Sequence, residues 1–347
     1  MVVQMKEQAT PEQIRAVCHH IEQLGFACHL LSADQHTTIA VAGPAGDDLR
    51  LSLQSIPGVD RVVRVSREYK LASREAKQED TVIRFAGTDA AIGGRNLAVI
   101  AGPCSIASRE QAFAVAGQLA AAGVQFFLGN AFLPNTLSGS APGLGREALR
   151  IFAEIRERFG LRIVTEAVDA ESLELAAEWA DIVAIGARNM QNFALLKRAG
   201  RLPRPILVER GPSATLIEFL MAAEYVLSEG NANVILCERG VRTFVDSKWN
   251  TLDLGIVPIL RRESHLPVLV DPSHGTSRSD CVTPMARAAV SAGADGIVVA
   301  VSATGQVVPA GGPQPLNATQ FTELMDELEK IAPVVGRNLD RKVVSPA

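Results

Sequence analysis

The sequence predicts an α/β protein in which a (β/α)8 barrel, or TIM barrel, follows a small ferredoxin-like βαββαβ domain. Two observations support this prediction. Up to residue 66, short apolar runs and helical patterns follow one another in the order β-α-β-β-α-β. From residue 97 to residue 335, eight continuously apolar runs alternate with eight helical patterns, as in parallel strands that are buried on both faces.

Composition excludes several other classes of protein. The chain has 347 residues, of which 47% are hydrophobic and 21% are charged, as is usual for a globular protein. A net charge of −4 gives no reason to expect binding to nucleic acid or to an anionic membrane. No apolar run is long enough to span a bilayer, and the first residues do not resemble a signal peptide. Five scattered cysteines without a CxxC motif favour the reducing cytoplasm.

The elements of the small domain, residues 1–66, follow from periodicity and from one proline. Pro11 occupies the first turn of a helix that extends to about residue 24 and has one apolar face. A shorter helix is expected over residues 47–53. Strands are expected over 2–5, 26–31, 37–42 and 59–65. No acid, base or nucleophile stands out here, so the domain is interpreted as structural, as an oligomer contact or as a ligand sensor.

A linker and a hairpin are expected between the two domains, over residues 67–96. Residues 67–81 are rich in charge and read as the linker. We expect a hairpin that pairs Thr81–Ala86 with Arg95–Val99 and closes the barrel floor. Residues 336–347 form a C-terminal tail in this interpretation.

The barrel strands are the apolar runs, and each precedes a helical pattern. The expected strands cover residues 97–101, 125–129, 162–166, 182–186, 205–209, 234–237, 267–270 and 296–301. The expected helices lie near residues 109–122, 145–158, 170–179, 192–199, 214–228, 251–261, 283–292 and 317–331. A doubly wound sheet is the alternative, but it rarely contains eight such regular units.

Active sites of such barrels lie at the carboxyl ends of the strands, and three arginines occur at these ends. Arg188, Arg210 and Arg239 therefore predict an anionic substrate, because a guanidinium group binds phosphate or carboxylate with two hydrogen bonds. The alternative is that each arginine forms an ion pair with a nearby glutamate. The glutamates in question are Glu166, Glu209 and Glu238.

Cys104 and His274 follow the first and seventh strands and are both possible metal ligands. A firm divalent-metal site needs three or four ligands, and Asp271 is a possible third. A buried cysteine beside a hydrogen-bonded histidine is the alternative interpretation of the same residues.

Taken together, the strand ends resemble one enzyme family. The segments are Ala101-Gly-Pro-Cys-Ser, Gly186-Ala-Arg-Asn-Met-Gln-Asn, Cys237-Glu-Arg-Gly-Val-Arg-Thr, Asn250-Thr-Leu-Asp and Leu269-Val-Asp-Pro-Ser-His. They resemble the 3-deoxy-D-arabino-heptulosonate-7-phosphate (DAHP) synthases, and more narrowly the type I beta branch with its N-terminal ferredoxin-like domain. The resemblance covers essentially the whole chain.

The resemblance implies an aldol-like condensation of phosphoenolpyruvate (PEP) with erythrose 4-phosphate on a divalent metal, which opens the shikimate pathway of aromatic amino acid biosynthesis. It also implies an aromatic amino acid as effector of the small domain, where His29 is a candidate contact. A homo-oligomer, either a dimer or a tetramer, is implied as well.

Two of the four metal ligands of the family are missing from this sequence. Cys104 and His274 match the family's cysteine and histidine. Ala300 stands where the family has a glutamate, and the following loop, residues 304–315, contains no acid in place of the family's aspartate. We therefore expect no tightly bound cofactor and at most a weakly held divalent metal.

Four basic residues of the family's substrate site are also missing. Leu128 replaces an arginine, and residues 133–137, which include Asn135 and Thr136, replace a Lys-Pro-Arg-Thr-Ser stretch. Glu209 replaces a lysine, which changes the local charge by two units. Each unit of charge changes the interaction energy with an anionic ligand by about 4 kcal/mol at ~4 Å and an effective dielectric constant of ~20.

Three functions remain open on this evidence. The first is a repurposed barrel enzyme acting on a different anionic, enolpyruvyl-like, carboxylate- or phosphate-bearing molecule. The second is a non-catalytic regulatory protein that senses aromatic amino acids, and the third is an active DAHP synthase with a rearranged site. For the first, the acid–base candidates are His274, Glu209 and Asp271. The candidates for substrate binding are Arg188, Arg210, Arg239, Glu166, Asn135 and Thr136.

Strand alternation makes a specific prediction about Glu209. Leu207 and Glu209 share one face of the fifth strand, as Cys237 and Arg239 share one face of the sixth. Both faces are expected to point into the barrel mouth, so Glu209 should contact Arg239 or Arg188. The alternative is that Glu209 turns outward to solvent.

Overall fold

The computed structural model describes residues 1–341 except 34–35, 44–45, 134–142, 245–249 and 304–314. It contains a four-stranded sheet, a two-stranded hairpin and a closed eight-stranded barrel. Among the described helices, none is both long and apolar enough to cross a membrane.

The small domain has the predicted βαββαβ order. Its elements are β1 (Val2–Met5), α1 (Pro11–Gln23), β2 (Ala27–Ala33), β3 (His36–Ala42), α2 (Asp47–Gln54) and β4 (Val59–Val63). The strands form one antiparallel sheet in the order β2-β3-β1-β4. Thr10 caps α1 through a capping box with Gln13, which explains why the helix begins at Pro11.

The linker fixes the small domain to the barrel through partly buried polar contacts. The carboxylate of Glu224, a barrel residue, accepts hydrogen bonds from the backbone N–H groups of Leu71 and Ala72 at 2.9 and 2.8 Å. Lys70 donates to the Val41 carbonyl of the small domain at 2.6 Å. Residues 70–72 therefore join both domains.

The hairpin on the barrel floor exists, but its predicted second strand was wrong. β5 (Ile83–Arg84) pairs with β6 (Ala91–Ile92) and not with residues 95–99. A hydrogen bond from the Phe85 N–H to the Ala90 carbonyl, 3.2 Å long, closes the loop between these strands. Phe85 packs edge-on against Phe126 with 5.2 Å between ring centroids, which seals the barrel from below.

The eight predicted barrel strands are confirmed and form a closed parallel sheet. They are β7 (Ala98–Ser105), β8 (Phe126–Asn130), β9 (Arg162–Ala167), β10 (Ile182–Ile185), β11 (Ile206–Glu209), β12 (Val234–Glu238), β13 (Val268–Val270) and β14 (Gly296–Ala300). The order around the barrel is β7 to β14, with β14 paired to β7.

Helices surround this sheet and bury their apolar faces on it. They are α3 (Arg109–Ala121), α4 (Arg146–Phe159), α5 (Ala170–Trp179), α6 (Phe193–Gly200), α7 (Leu216–Ser228), α8 (Ile256–Glu263), α9 (Pro272–Thr276), α10 (Ser279–Ser291) and α11 (Ala318–Ile331). The short helix α9 was not predicted. It forms because Asp271 accepts from the His274 N–H at the N-cap and Pro272 occupies the first turn.

Candidate active site in the barrel mouth

A small cavity lies inside the barrel at the carboxyl ends of the strands, and we call it the mouth cavity. Its volume is about 30 Å³, which is room for one or two groups of the size of water. Its polar lining residues are Cys104, Asn130, Glu166, Glu209, Arg239, Asp271 and His274. Its apolar lining residues are Ile100, Leu128, Val164, Ala184, Leu207 and Val298. The lining therefore carries three carboxyl groups and one guanidinium group.

The predicted contact between Glu209 and Arg239 is confirmed. Glu209 Oε2 lies 2.8 Å from Arg239 Nη1 and also accepts a hydrogen bond from the Ala187 N–H at 3.0 Å. Strand register explains the contact, because Glu209 pairs with Cys237 on the neighbouring strand and Arg239 follows two residues later on the same face. Burial lowers the pKa of Arg239, but the carboxylates of Glu209, Asp271 and Glu166 outweigh it, and the guanidinium stays charged.

Glu166 lies near Glu209, and its hydrogen-bond partner is Asn130. Asn130 Nδ2 donates to Glu166 Oε2 at 3.3 Å, and the Glu166 N–H donates to Asn130 Oδ1 at 3.1 Å. No ion pair to Glu166 forms among the residues that the structure describes. Burial, followed by the charge of Glu209, raises the pKa of Glu166 to about 7, although Arg239 and Arg188 act in the opposite direction. Glu166 is therefore partly protonated near neutral pH.

Asp271 and His274 form a hydrogen-bonded pair at the end of β13. His274 Nδ1 lies 2.6 Å from Asp271 Oδ2, and Asp271 is only 1% exposed. Burial raises the pKa of Asp271, but the charge and hydrogen bonds of His274 and the charge of Arg239 outweigh it, so the pKa lies below its ordinary value. Since Asp271 is ionised, Nδ1 carries the hydrogen and Nε2 is the ring nitrogen free to exchange a proton.

The residues around Cys104 do not fit a divalent metal, which the family resemblance implies. Burial, reinforced by the charge of Asp271, raises the pKa of the Cys104 thiol far above its ordinary value, so the thiol is protonated in the metal-free protein. Ala300, which the resemblance places where the family has a glutamate ligand, has no side-chain atom that could bind a metal. Across the described residues, no three His, Cys, Asp or Glu side chains are grouped as metal ligands. Cys104 itself has a left-handed backbone with φ of 60°.

Arg210 does not face the mouth cavity, which corrects its interpretation as a substrate-binding residue. Its Nη1 lies 2.9 Å from Glu238 Oε2 and 2.9 Å from Asp253 Oδ2. Its Nε donates to the Ala214 carbonyl at 3.1 Å. Arg210 is 7% exposed and Glu238 is fully buried, so this arginine forms the structural ion pair that was the alternative interpretation.

Arg188, Asn135 and Thr136 are the remaining candidates, and Asn130 is a lining residue that the sequence analysis missed. Arg188 lies on the one-turn 3-10 helix that follows β10, is exposed, and forms no ion pair with a described residue. Asn135 and Thr136 lie outside the described residues. Asn130 was missed, although it occupies the end of β8 and the same strand-end rule that selected the other residues would have found it.

Fold and site together define an enzyme-type α/β barrel with acid–base and charged groups at the catalytic end of its strands. Comparison with models of known protein families identifies the family. The DAHP synthetase I family matches residues 68–334, and the DAHP synthase ferredoxin-like domain matches residues 1–67. The chain belongs to the DAHP synthase family, an enzyme family, and carries its ferredoxin-like N-terminal domain.

Individual relatives agree with this assignment. The chain is 43% identical to a phospho-2-dehydro-3-deoxyheptonate aldolase of Thermotoga maritima over 97% of its own length and 99% of that protein. A crystal structure of the Thermotoga maritima enzyme superposes with a TM-score of 0.77 over 98% of this chain and 99% of the other, at 42% identity. A 2-dehydro-3-deoxyphosphooctonate aldolase of Rhodopseudomonas palustris is 32% identical over 67% of this chain and 86% of its own.

Proposed function

We propose that this protein is a repurposed enzyme of the DAHP synthase family that uses acid–base chemistry on a small molecule bearing a carboxylate. It does not carry out the metal-dependent condensation of PEP with erythrose 4-phosphate. The observation that carries the proposal is the Glu209–Arg239 ion pair, which occupies the position where two basic residues of the family would face an anion.

The charge of the mouth cavity disfavours PEP and favours a substrate with a single carboxylate. Three carboxyl groups face one guanidinium in the lining, so a ligand with several negative charges is repelled. Like charges at ~4 Å cost about 4 kcal/mol each at an effective dielectric constant of ~20. PEP carries both a phosphate and a carboxylate, whereas a single carboxylate can be held by Arg188 at the rim or by Arg239 below it.

The chemistry of the proposed reaction rests on His274. Asp271 fixes the imidazole ring by accepting from Nδ1, which leaves Nε2 to take a proton from the substrate or to return one. Glu209 and Asp271 have supporting roles in this proposal, because each is held in an ion pair or hydrogen bond. Arg210 is a positioning residue that fixes the ends of β11 and β12 through Glu238.

The direct test is an assay of PEP consumption and phosphate release with erythrose 4-phosphate, with and without Mn²⁺. We expect no turnover above the rate of a His274→Ala control under either condition. Turnover that depends on Mn²⁺ would establish an active DAHP synthase with a rearranged site. A carboxylate ligand that co-purifies with the protein, identified by native mass spectrometry, would support the proposal directly.

The proposal extends to assembly and regulation. We infer a cytoplasmic homo-oligomer, a dimer or tetramer, whose small domain binds an aromatic amino acid as effector. The resemblance of residues 1–67 to the ferredoxin-like domain of the family supports this part. Light scattering on the purified protein tests the assembly. Thermal shifts with phenylalanine, tyrosine and tryptophan test the effector, and a monomer without any shift would contradict both.

A further inference from the structure

Two carboxyl groups converge in the mouth cavity from strands that flank β10. Glu166 is on β9 and Glu209 is on β11, and the intervening strand offers Ala184 and then Gly186 between them. A Cβ at Gly186 would lie 1.9 Å from Glu166 Oε1, so the missing side chain lets this carboxyl group lie over the end of β10. The Glu166 side chain therefore has room at the end of β10 because Gly186, the residue after the strand, has no side chain.

Each of the two carboxyl groups keeps one oxygen available. The contacts of Glu209 with Arg239 and with the Ala187 N–H both fall on Oε2. The contact from Asn130 to Glu166 also falls on Oε2. No donor from the described part of the chain reaches Oε1 of either residue. Two carboxylate oxygens without a donor among the described residues thus belong to side chains that line a cavity with an excess of negative charge.

We propose that the mouth cavity binds a small molecule that carries both a carboxylate and a protonated nitrogen, such as an α-amino acid. Its ammonium group lies between Glu166 and Glu209, and its carboxylate lies on Arg188 at the rim. This inference rests on the proposed function and narrows its substrate class.

Size and charge both favour an ammonium group at this position. A cavity of about 30 Å³ admits a group of the size of water, whereas a phosphate needs more room. An ammonium group offers three donors, enough for the two available oxygens, and its charge offsets the repulsion between the two carboxyl groups. The repulsion that raises the pKa of Glu166 in the free protein is relieved when a cation lies between the two residues.

The test compares amino acids with 2-hydroxy acids of the same carbon skeleton. The pairs are glycine with glycolate, L-alanine with L-lactate, L-serine with L-glycerate and L-aspartate with L-malate. Dissociation constants are measured by calorimetry at pH 7.5 on the full chain and on the variants Glu166→Gln and Glu209→Gln. Glu174→Gln is the matched control, because Glu174 is exposed on α5 and pairs with Arg198 on the outside of the barrel.

We expect at least one amino acid to bind ten-fold or more tightly than its hydroxy acid. Each mouth variant should reduce this preference at least ten-fold, and Glu174→Gln should leave it unchanged. Glu166→Gln is the more informative variant, because Glu166 has no ion pair among the described residues and its loss does not release Arg239. Binding of aromatic effectors to the small domain does not interfere, since none of the probes is aromatic.

Three outcomes would overturn the inference: no probe binds, hydroxy acids bind as tightly as amino acids, or the preference survives in both mouth variants. Hydroxy acids that bind as tightly as amino acids would overturn this inference but leave the proposed carboxylate substrate standing. Turnover of PEP with erythrose 4-phosphate would instead refute the proposed function.

Discussion

Glu209 and Arg239 form an ion pair of 2.8 Å inside the barrel mouth, and each residue comes from a different strand of the sheet. The family pattern has a lysine at the position of Glu209, so two cations would lie side by side there and would hold an anion. The glutamate neutralises Arg239 instead and adds a carboxyl group next to Glu166. This substitution places two carboxyl groups beside one guanidinium, which is the arrangement that the proposed ammonium site requires.

The first prediction concerns reversal of that substitution. Glu209→Lys should not restore condensation of PEP with erythrose 4-phosphate, because Ala300 still replaces a metal ligand and Leu128 still replaces an arginine. Phosphate release with and without Mn²⁺ measures this. Condensation by the single variant above the rate of wild type would contradict the prediction and would mean that Glu209 alone blocks this condensation.

The second prediction concerns the metal. Protein purified without chelator should contain less than about 0.1 equivalent of zinc, manganese or iron, because one thiol and one imidazole form an incomplete ligand set when Ala300 replaces an acidic ligand. Elemental analysis checks the content, and Cys104→Ser is the control for adventitious metal. A stoichiometric metal that disappears in Cys104→Ser would contradict the prediction.

The third prediction uses the raised pKa of Glu166. Its pKa is about 7 in the folded protein and near 4.5 ordinarily, so between these values the folded state binds more protons than the unfolded state. The contribution of Glu166 to the free energy of unfolding therefore falls as pH rises through this window. Glu166→Gln has no carboxyl group that titrates here, so it removes this pH-dependent loss of stability. Its stability relative to wild type should increase by about 1–3 kcal/mol between pH 5 and pH 8.

Urea unfolding at several pH values measures this difference, with Glu174→Gln as the control on an exposed carboxylate. A relative stability of Glu166→Gln that does not change between pH 5 and pH 8 would show that Glu166 is ionised throughout this range. It would also remove one argument for repulsion between Glu166 and Glu209.

Alternation along the strands was enough to predict the Glu209–Arg239 contact, because inward and outward positions of a barrel strand differ by one residue. The same alternation, applied to Arg210, already placed it off that face, but the strand-end rule selected it by residue type alone. Its partner Asp253 lies 43 residues away in a loop, and local sequence patterns do not encode such a contact. Asn130 also lies at a strand end, but it was missed because charged side chains were selected there and an uncharged amide was not.

Barrel strands were predictable for a physical reason that does not apply to the hairpin. A strand buried on both faces must be apolar throughout, which the sequence displays directly. The hairpin of β5 and β6 has only two residues in each strand, and its register depends on the turn at residues 86–90 and on the fit of Phe85 against Phe126. Neither is visible in local periodicity, so residues 95–99 were mistaken for the second strand.

The last prediction tests the structural role of Arg210. Removing its side chain leaves Glu238, which is fully buried, without its cation, and breaking one partner of a buried ion pair costs about 3–5 kcal/mol. Burial already raises the pKa of Glu238 while Arg210 opposes the shift, so in Arg210→Met the pKa rises further. The folded state then holds this carboxyl protonated, and the destabilisation should grow between pH 5 and pH 8.

The matched control is Arg188→Met, which should change the free energy of unfolding by less than about 0.5 kcal/mol because Arg188 is exposed. Urea unfolding of both variants decides between the two roles: equal, small effects would return Arg210 to the set of substrate-binding candidates.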